Sequence, residues 1–213
     1  MILFYVEKIK RFLKTGWKVS KLNKKVNTLS ETPSQTAGPF LHIGCTPNLI
    51  GIKNVFKRDF GVKSFKNINK EKLINISGFV FDGSGVPITD VMIETWQCNP
   101  EGFFLEDEGF SRVVPDLESG KYIINTIKPG FTKNEYRNPQ SPHILFWIVA
   151  RGINQPLITR MYFDENETKE DYLFSMIKEK NRKKTLLAKK IDENHYLFNI
   201  YLQGEKETVF FDF

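Results

Sequence analysis

Cysteine is scarce in this sequence, with only Cys45 and Cys98 among 213 residues. Two cysteines are too few for a disulfide framework, and their spacing along the chain does not match a cysteine metal site. The sequence also lacks an apolar run long enough to cross a membrane. Its short N-terminal run, MILFYV, precedes basic residues instead of following them, which is unlike a signal peptide. These absences favour a reducing compartment, the cytoplasm.

Most of the chain also lacks a charge imbalance, although the formal net charge is +6. Residues 1–29 carry eight lysines and arginines against one glutamate, a net charge of +7, which leaves −1 for residues 30–213. The sequence therefore predicts two parts: a basic N-terminal extension at 1–29 and one domain at 30–213. The near-neutral charge of that domain argues against a nucleic-acid partner.

The N-terminal extension allows two interpretations. An amphipathic helix would place Val6, Ile9, Phe12 and Leu13 on one side, where they could contact a membrane or a partner protein. The alternative is a partly ordered arm, or extra residues from a start codon placed too far upstream. The second interpretation is favoured, because chain termini are usually poorly fixed.

Short β-rich runs separated by turn residues fill most of residues 73–213. A DGSG turn at 82–85 predicts a hairpin within 73–97, and Gly204 predicts a closing hairpin within 195–213. Charged residues with spaced apolar ones at 166–190 indicate helix or helical turns. The pattern predicts a mostly β protein: an antiparallel β-sandwich core with Greek-key-like topology, one short helical excursion and the N-terminal arm.

The segment QSPHILFWIVARGIN, residues 140–154, contains residue types that bind metals and anions. As a strand it places His143, Leu145, Trp147 and Arg151 on one face, because side chains alternate. A His-x-His pair on such a face would begin a metal site, but the second position is leucine. His143 is therefore half of a metal site, the remnant of one or a core histidine. From the sequence alone, we expect Arg151 to pair with an acidic residue at the end of the strand.

Several motifs together resemble the intradiol ring-cleavage dioxygenases, and especially the α chain of members built from two kinds of chain. The motifs are TPSQTAGPFLHIG (32–44), ETWQCNPEG (94–102), TIKPG (126–130), SPHILFWIVARGIN (141–154), LITRMYF (157–163) and LQGEKETVFFDF (202–213). The resemblance implies a β-sandwich in an αβ hetero-oligomer that uses O₂ to cleave a catechol between its hydroxyl-bearing carbons. It also implies a ferric ion, held in the partner β chain by two tyrosinates and two histidines, and an α chain that lines the substrate pocket.

Matched to the family pattern, the four iron-ligand positions of this chain are Phe104, Thr132, His143 and Leu145. Ferric iron is a hard cation that suits phenolate and imidazole ligands, and only His143 can supply one of these. Tyr136 lies near Thr132 in sequence, but no histidine replaces Leu145. We therefore expect no catalytic or metal-binding residue in this chain, and His143 is interpreted as the remnant of a site.

The resemblance assigns substrate-binding roles to Arg151, Thr36 and Pro39. The guanidinium of Arg151 would grip a carboxylate on the catechol ring. Thr36 and Pro39 belong to a loop that approaches the pocket, although a purely structural turn fits them equally well. His42 is expected to stabilise this loop, and Phe40 stands where α chains commonly have tyrosine.

Three functions compete at this point. The leading one is an α chain that completes the pocket of an iron-binding β chain. The second is a non-catalytic scaffolding or binding protein derived from the same family. The third, an independent enzyme on the same sandwich, lacks any nucleophile, base or metal cluster in the sequence.

Overall fold

The computed structural model describes residues 35–38, 40–66, 72–132 and 140–212. The predicted N-terminal arm, Pro39 and Tyr136 lie outside these residues. The helices are α1 (Phe40–Cys45), α2 (Tyr172–Met176) and α3 (Lys180–Lys184), with a 3₁₀ turn at Asn166–Thr168. The strands are β1 (Leu73–Phe81), β2 (Met92–Trp96), β3 (Phe110–Val113), β4 (Lys121–Ile127), β5 (His143–Val149), β6 (Leu157–Tyr162), β7 (Lys189–Lys190), β8 (His195–Leu197) and β9 (Ile200–Tyr201).

These strands form two sheets, which confirms the predicted mostly β sandwich. One sheet has the order β4-β1-β8-β7, with β9 also paired to β1, and the other has the order β3-β2-β5-β6. Most ladders are antiparallel, whereas β1 pairs with β8 and β9 in parallel. In the described part of the chain, no helix combines the length and the apolar character needed to cross a bilayer.

The core lies between the inner faces of the two sheets. Alternate residues of β5 point into it, and Ile144, Phe146 and Ile148 are fully buried. The ring of Phe146 packs edge-on against Tyr122 from β4 and also contacts Phe198, which joins β8 to β9. Because side chains alternate along a strand, His143, Leu145 and Trp147 must lie on the outer face of the second sheet.

The hairpin predicted within 73–97 is wrong, although its turn is present. The Asp82 side chain accepts hydrogen bonds from the backbone N–H groups of Ser84 and Val86, at 2.8 and 2.9 Å, and a single bridge joins Phe81 to Pro87. The chain then crosses to the other sheet, where β2 pairs with β3 and β5 instead of β1. The turn residues determined the local reversal but not the partner of the next strand.

The prediction of a closing hairpin around Gly204 is also wrong for its second strand. The turn forms, and Thr208 donates its backbone N–H to Tyr201 O at 2.9 Å. The chain then runs along β6, where Val209 O accepts from Thr159 Oγ1 at 2.7 Å and Phe211 N donates to Ile158 O at 2.7 Å. The C-terminal segment thus leaves the first sheet and borders the second.

The predicted helical excursion is confirmed between residues 166 and 184, as a 3₁₀ turn and two single-turn helices. Asp171 caps α2 by accepting a hydrogen bond from Phe174 N at 2.9 Å. Phe174 packs its ring against Tyr162 of β6, with the centroids 5.2 Å apart. The excursion therefore covers the outer face of the second sheet beside β6.

Gly78 allows the β8–β9 connection to approach β1 closely. A Cβ added at residue 78 would lie 1.9 Å from Phe198 O and 2.9 Å from the Tyr122 hydroxyl. Those two groups hydrogen bond to each other, so neither can move away freely. We expect Gly78→Ala to lower the free energy of unfolding by about 2–3 kcal/mol or more, measured by urea denaturation followed by circular dichroism.

Gly44 in α1 provides the matched control for this substitution. A Cβ at residue 44 meets nothing within 4 Å, so Gly44→Ala should change stability by less than about 1 kcal/mol. Equal unfolding midpoints for the two variants would contradict the close approach at Gly78.

Candidate functional site

The two ends of β5 carry the two groups of residues that the sequence singled out. His143 begins the strand, and Arg151 follows its last residue in a turn closed by a 3.3 Å hydrogen bond from Ile153 N to Ala150 O. The first end is sealed and the second is open, since His143 is 4% exposed and the Arg151 side chain is 71% exposed. The chemistry of each end follows from this difference.

At the sealed end, His143 is held in one tautomer. Its Nδ1 lies 2.7 Å from Ser141 O, and a carbonyl can only accept, so Nδ1 carries the proton. Burial, assisted by the positive charge of Arg160, lowers the pKa of His143 from 6.5 to about 3, although the bond to Ser141 opposes this. His143 is therefore a neutral imidazole at physiological pH. The ring of Tyr162 lies beside it, with the centroids 5.8 Å apart.

A buried ion pair adjoins His143 on the same sheet face. Asp171 is fully buried, and its carboxylate accepts hydrogen bonds from Ser141 N at 3.0 Å and the Tyr162 hydroxyl at 3.1 Å. Arg160 Nη1 lies 4.0 Å from Asp171 Oδ2, and Arg160 is 7% exposed. Burial raises the pKa of Tyr162, so its hydroxyl stays protonated and donates to Asp171. No sequence pattern predicted this cluster, although its arginine lies in the motif LITRMYF.

At the open end, the structure brings Thr36 and Arg151 together. Thr36 Oγ1 donates to Ala150 O at 3.2 Å and accepts from Gly152 N at 2.6 Å, so the segment at 35–38 is fastened to the turn that carries Arg151. The Arg151 Nε donates to the Asp90 carboxylate, which is the acidic partner expected from the sequence alone. Pro39, the third predicted substrate residue, lies outside the described residues.

Asp90 also anchors the segment that contains α1, a role that the sequence did not reveal. His42 Nε2 donates to the Asp90 backbone carbonyl at 2.9 Å, which agrees with the loop-stabilising role expected of that histidine. Phe40, at the start of α1, remains 77% exposed. Asp90 therefore joins the α1 segment through its backbone and the Arg151 turn through its side chain.

Neither Arg151 nor Thr36 lines either of the two best-formed depressions in the described part of the chain. Both depressions are open to solvent, and their lining residues all lie between Asn48 and Arg58. A small molecule gripped by Arg151 would therefore be largely exposed to water unless another surface covered it.

Comparison with known proteins places these features in a family. A family model described as Dioxygenase (Dioxygenase_C) matches residues 57–204, more than half of the chain. The chain belongs to this dioxygenase family. The resemblance to intradiol ring-cleavage dioxygenases is confirmed by a curated relative, the protocatechuate 3,4-dioxygenase alpha chain of Pseudomonas putida. It is 34% identical over 200 residues, which cover 88% of this chain and 99% of that one.

Two further proteins extend the comparison. The protocatechuate 3,4-dioxygenase beta chain of Burkholderia cepacia is 30% identical over 156 residues, which cover 63% of this chain and 66% of that one. The crystal structure of catechol 1,2-dioxygenase from Pseudomonas arvilla C-1 superposes with a TM-score of 0.51 at 16% identity, covering 65% of this chain. The chain spans 54% of that structure, and the likeness concerns the fold.

The residues that the resemblance matches to iron-ligand positions do not fit a ferric ion in this chain. Phe104 has no donor atom and stacks on Trp96, with the centroids 6.2 Å apart. The Thr132 Oγ1 accepts a hydrogen bond from Gln140 N at 3.1 Å, and an isolated β-bridge joins the same two residues. Leu145 is aliphatic and has no donor atom. Within the described residues no group of three or more His, Cys, Asp or Glu side chains could hold a metal ion. One imidazole is too few ligands for this cation.

The buried neutral state of His143 predicts an acid-dependent loss of stability. The unfolded chain takes up a proton on this histidine below pH 6.5, whereas the folded chain does so only near pH 3, so stability must fall on acidification through that window. We expect the His143→Gln variant to lose less stability than the wild type between pH 6.5 and 4.5, by up to about 1.4 kcal/mol per pH unit. Urea titrations at several pH values measure this difference, and parallel pH dependences would contradict it.

Proposed function

We propose that this chain is the iron-free α component of a protocatechuate 3,4-dioxygenase, and that it lines the substrate pocket of an iron-binding β chain. The single observation that best supports the proposal is the open end of β5, where Thr36 and Arg151 are held together and the Arg151 side chain remains largely exposed. The similarity to curated alpha and beta chains supports an assembly of both kinds.

The proposed reaction uses O₂ to cleave protocatechuate, 3,4-dihydroxybenzoate, between its two hydroxylated carbons. Both oxygen atoms enter the product, 3-carboxy-cis,cis-muconate, and no further oxidant is needed. The β chain would supply the ferric ion that binds the two hydroxyls. This chain would supply positioning, because the ring carries a carboxylate opposite the hydroxyls that can be held at a distance from the iron.

The hydrogen bonding of Arg151 suits that positioning role. Asp90 accepts from Nε, and among the described residues neither Nη1 nor Nη2 has an acceptor. A guanidinium fastened through Nε presents its two Nη groups in a fixed direction, and a fork of this kind matches a carboxylate. The bond from Gly152 N to Thr36 Oγ1, at 2.6 Å, further restrains the turn.

Exposed aromatic side chains support a partner surface. Subunit interfaces are rich in aromatic side chains, so exposed aromatics are candidates for burial against a partner. The described residues of this chain include the exposed aromatics Phe40, Phe56, Phe60, Phe104, Phe131 and Tyr172. Burial of such residues against a β chain would contribute to assembly.

Co-expression with a β chain tests the assembly directly. We expect the isolated chain to contain no stoichiometric iron and to show no protocatechuate-dependent O₂ uptake. Together with a β chain that carries both tyrosines and His-x-His, it should form an iron-containing, active complex. Iron and activity in the isolated chain would refute the division of roles. Failure to form any complex would instead favour a non-catalytic scaffolding or binding protein.

Substitution of Arg151 in the assembled enzyme tests the substrate role. Loss of a charge-assisted bond of about 1.5–3 kcal/mol predicts that Arg151→Ala raises KM for protocatechuate by about 10- to 150-fold, with iron content unchanged. Steady-state O₂ uptake and metal analysis measure the two quantities.

Two further variants make this test specific. Arg58→Ala removes an exposed arginine outside the proposed site and should leave KM unchanged. Asp90→Asn keeps Arg151 but weakens its anchor, so its KM should rise less than that of Arg151→Ala. An unchanged KM in Arg151→Ala would contradict the substrate-binding role of Arg151. If KM rose as much in Asp90→Asn as in Arg151→Ala, Arg151 would act only by holding Asp90 in place.

A further inference from the structure

The family implies a metal ion that the residues of this chain do not fit, and the reason extends beyond missing ligands. Arg160 lies directly opposite Leu145 in the β5–β6 register, and Tyr162 lies opposite His143. Directly opposed residues of an antiparallel pair share a face, with diagonal neighbours within reach of long side chains. The side chain of Arg160 therefore leaves the sheet on the same face as residues 143 and 145.

The charge of Arg160 is fixed at this position. Arginine remains protonated in proteins, and an arginine that is 7% exposed needs a compensating partner to stay buried. Asp171, fully buried and 4.0 Å from Nη1, provides that compensation. Because the Asp171 carboxylate is itself held by Ser141 N and Phe174 N, the guanidinium is drawn toward the sheet instead of turning to solvent.

Such a site favours an acceptor and disfavours a second cation. Arg160 Nε and Nη1 are buried and donate to no acceptor among the described residues. A metal ion bound on this face would lie beside a fixed positive charge in a region of low dielectric, where repulsion is strong.

We propose that Arg160 acts as a resident cation that excludes metal ions from this chain, independently of the loss of the second histidine. Restoring the His-x-His pair would then be insufficient to create a metal site as long as the guanidinium remains. The proposal concerns this chain alone and stands whether or not a partner chain holds iron.

Cobalt(II) binding by designed variants of the full chain tests this proposal. The variants are Leu145→His and Leu145→His/Arg160→Gln, titrated with Co(II) alone at pH 7.5 and followed by the d–d absorption bands. A positive control, Ile123→His/Asn125→His, places the same His-x-His pair on an exposed face of β4. We expect the control and the double variant to bind Co(II), and the single variant to bind at least about tenfold more weakly than the double variant.

Loss of Arg160 leaves the Asp171 carboxylate without its cation and can impair folding. A third variant, Leu145→His/Arg160→Gln/Asp171→Asn, removes both charges and retains the side-chain oxygen that caps α2. Circular dichroism establishes which of the two Arg160 variants is folded and suitable for titration. Equal Co(II) affinity for Leu145→His and for the folded Arg160 variant would overturn the proposal. Absence of binding in that variant, when the β4 control binds, would overturn it as well.

Discussion

The buried carboxylate of Asp171 is the group on which the outer face of the second sheet depends. It accepts hydrogen bonds from Ser141 N just before β5, from the Tyr162 hydroxyl in β6 and from Phe174 N at the start of α2. It also compensates the charge of Arg160. An unpaired carboxylate would be costly at this depth, so these partners must assemble together. One side chain thereby fastens the helical excursion onto the sheet that carries His143.

The two ends of β5 show how one strand supports two different environments. The helical excursion seals the end at His143, where burial removes the proton and leaves a neutral imidazole. Among the residues that the structure describes, no comparable layer covers the turn after the strand, where the Arg151 side chain stays largely exposed. The end that resembles a metal site is thus buried beside the charge of Arg160, and the end that carries the Arg151 guanidinium remains accessible. The proposed division of roles between two chains rests on this difference between the two ends of the strand.

Local sequence signals predicted turns and strands better than they predicted pairing. The DGSG segment reverses the chain because Asp82 can accept from the backbone two and four residues ahead, a purely local interaction. Whether β2 then returns to β1 or crosses to the other sheet depends on which sheet buries Ile93, and that is a long-range contact. The tail after Gly204 follows the same rule, since Phe211 bonds to β6 rather than to β9.

The sequence by itself determined the family, the β-sandwich class and the absence of three of four iron ligands, because each depends on residue identity at matched positions. It also singled out Arg151 and Thr36. Only the tertiary structure decided that Asp90 pairs with Arg151, and that Arg160 and Asp171 meet beside His143. Asp90 is 61 residues from Arg151 in sequence. Contacts of that kind arise from sheet register and chain crossing, which no local pattern of residues specifies.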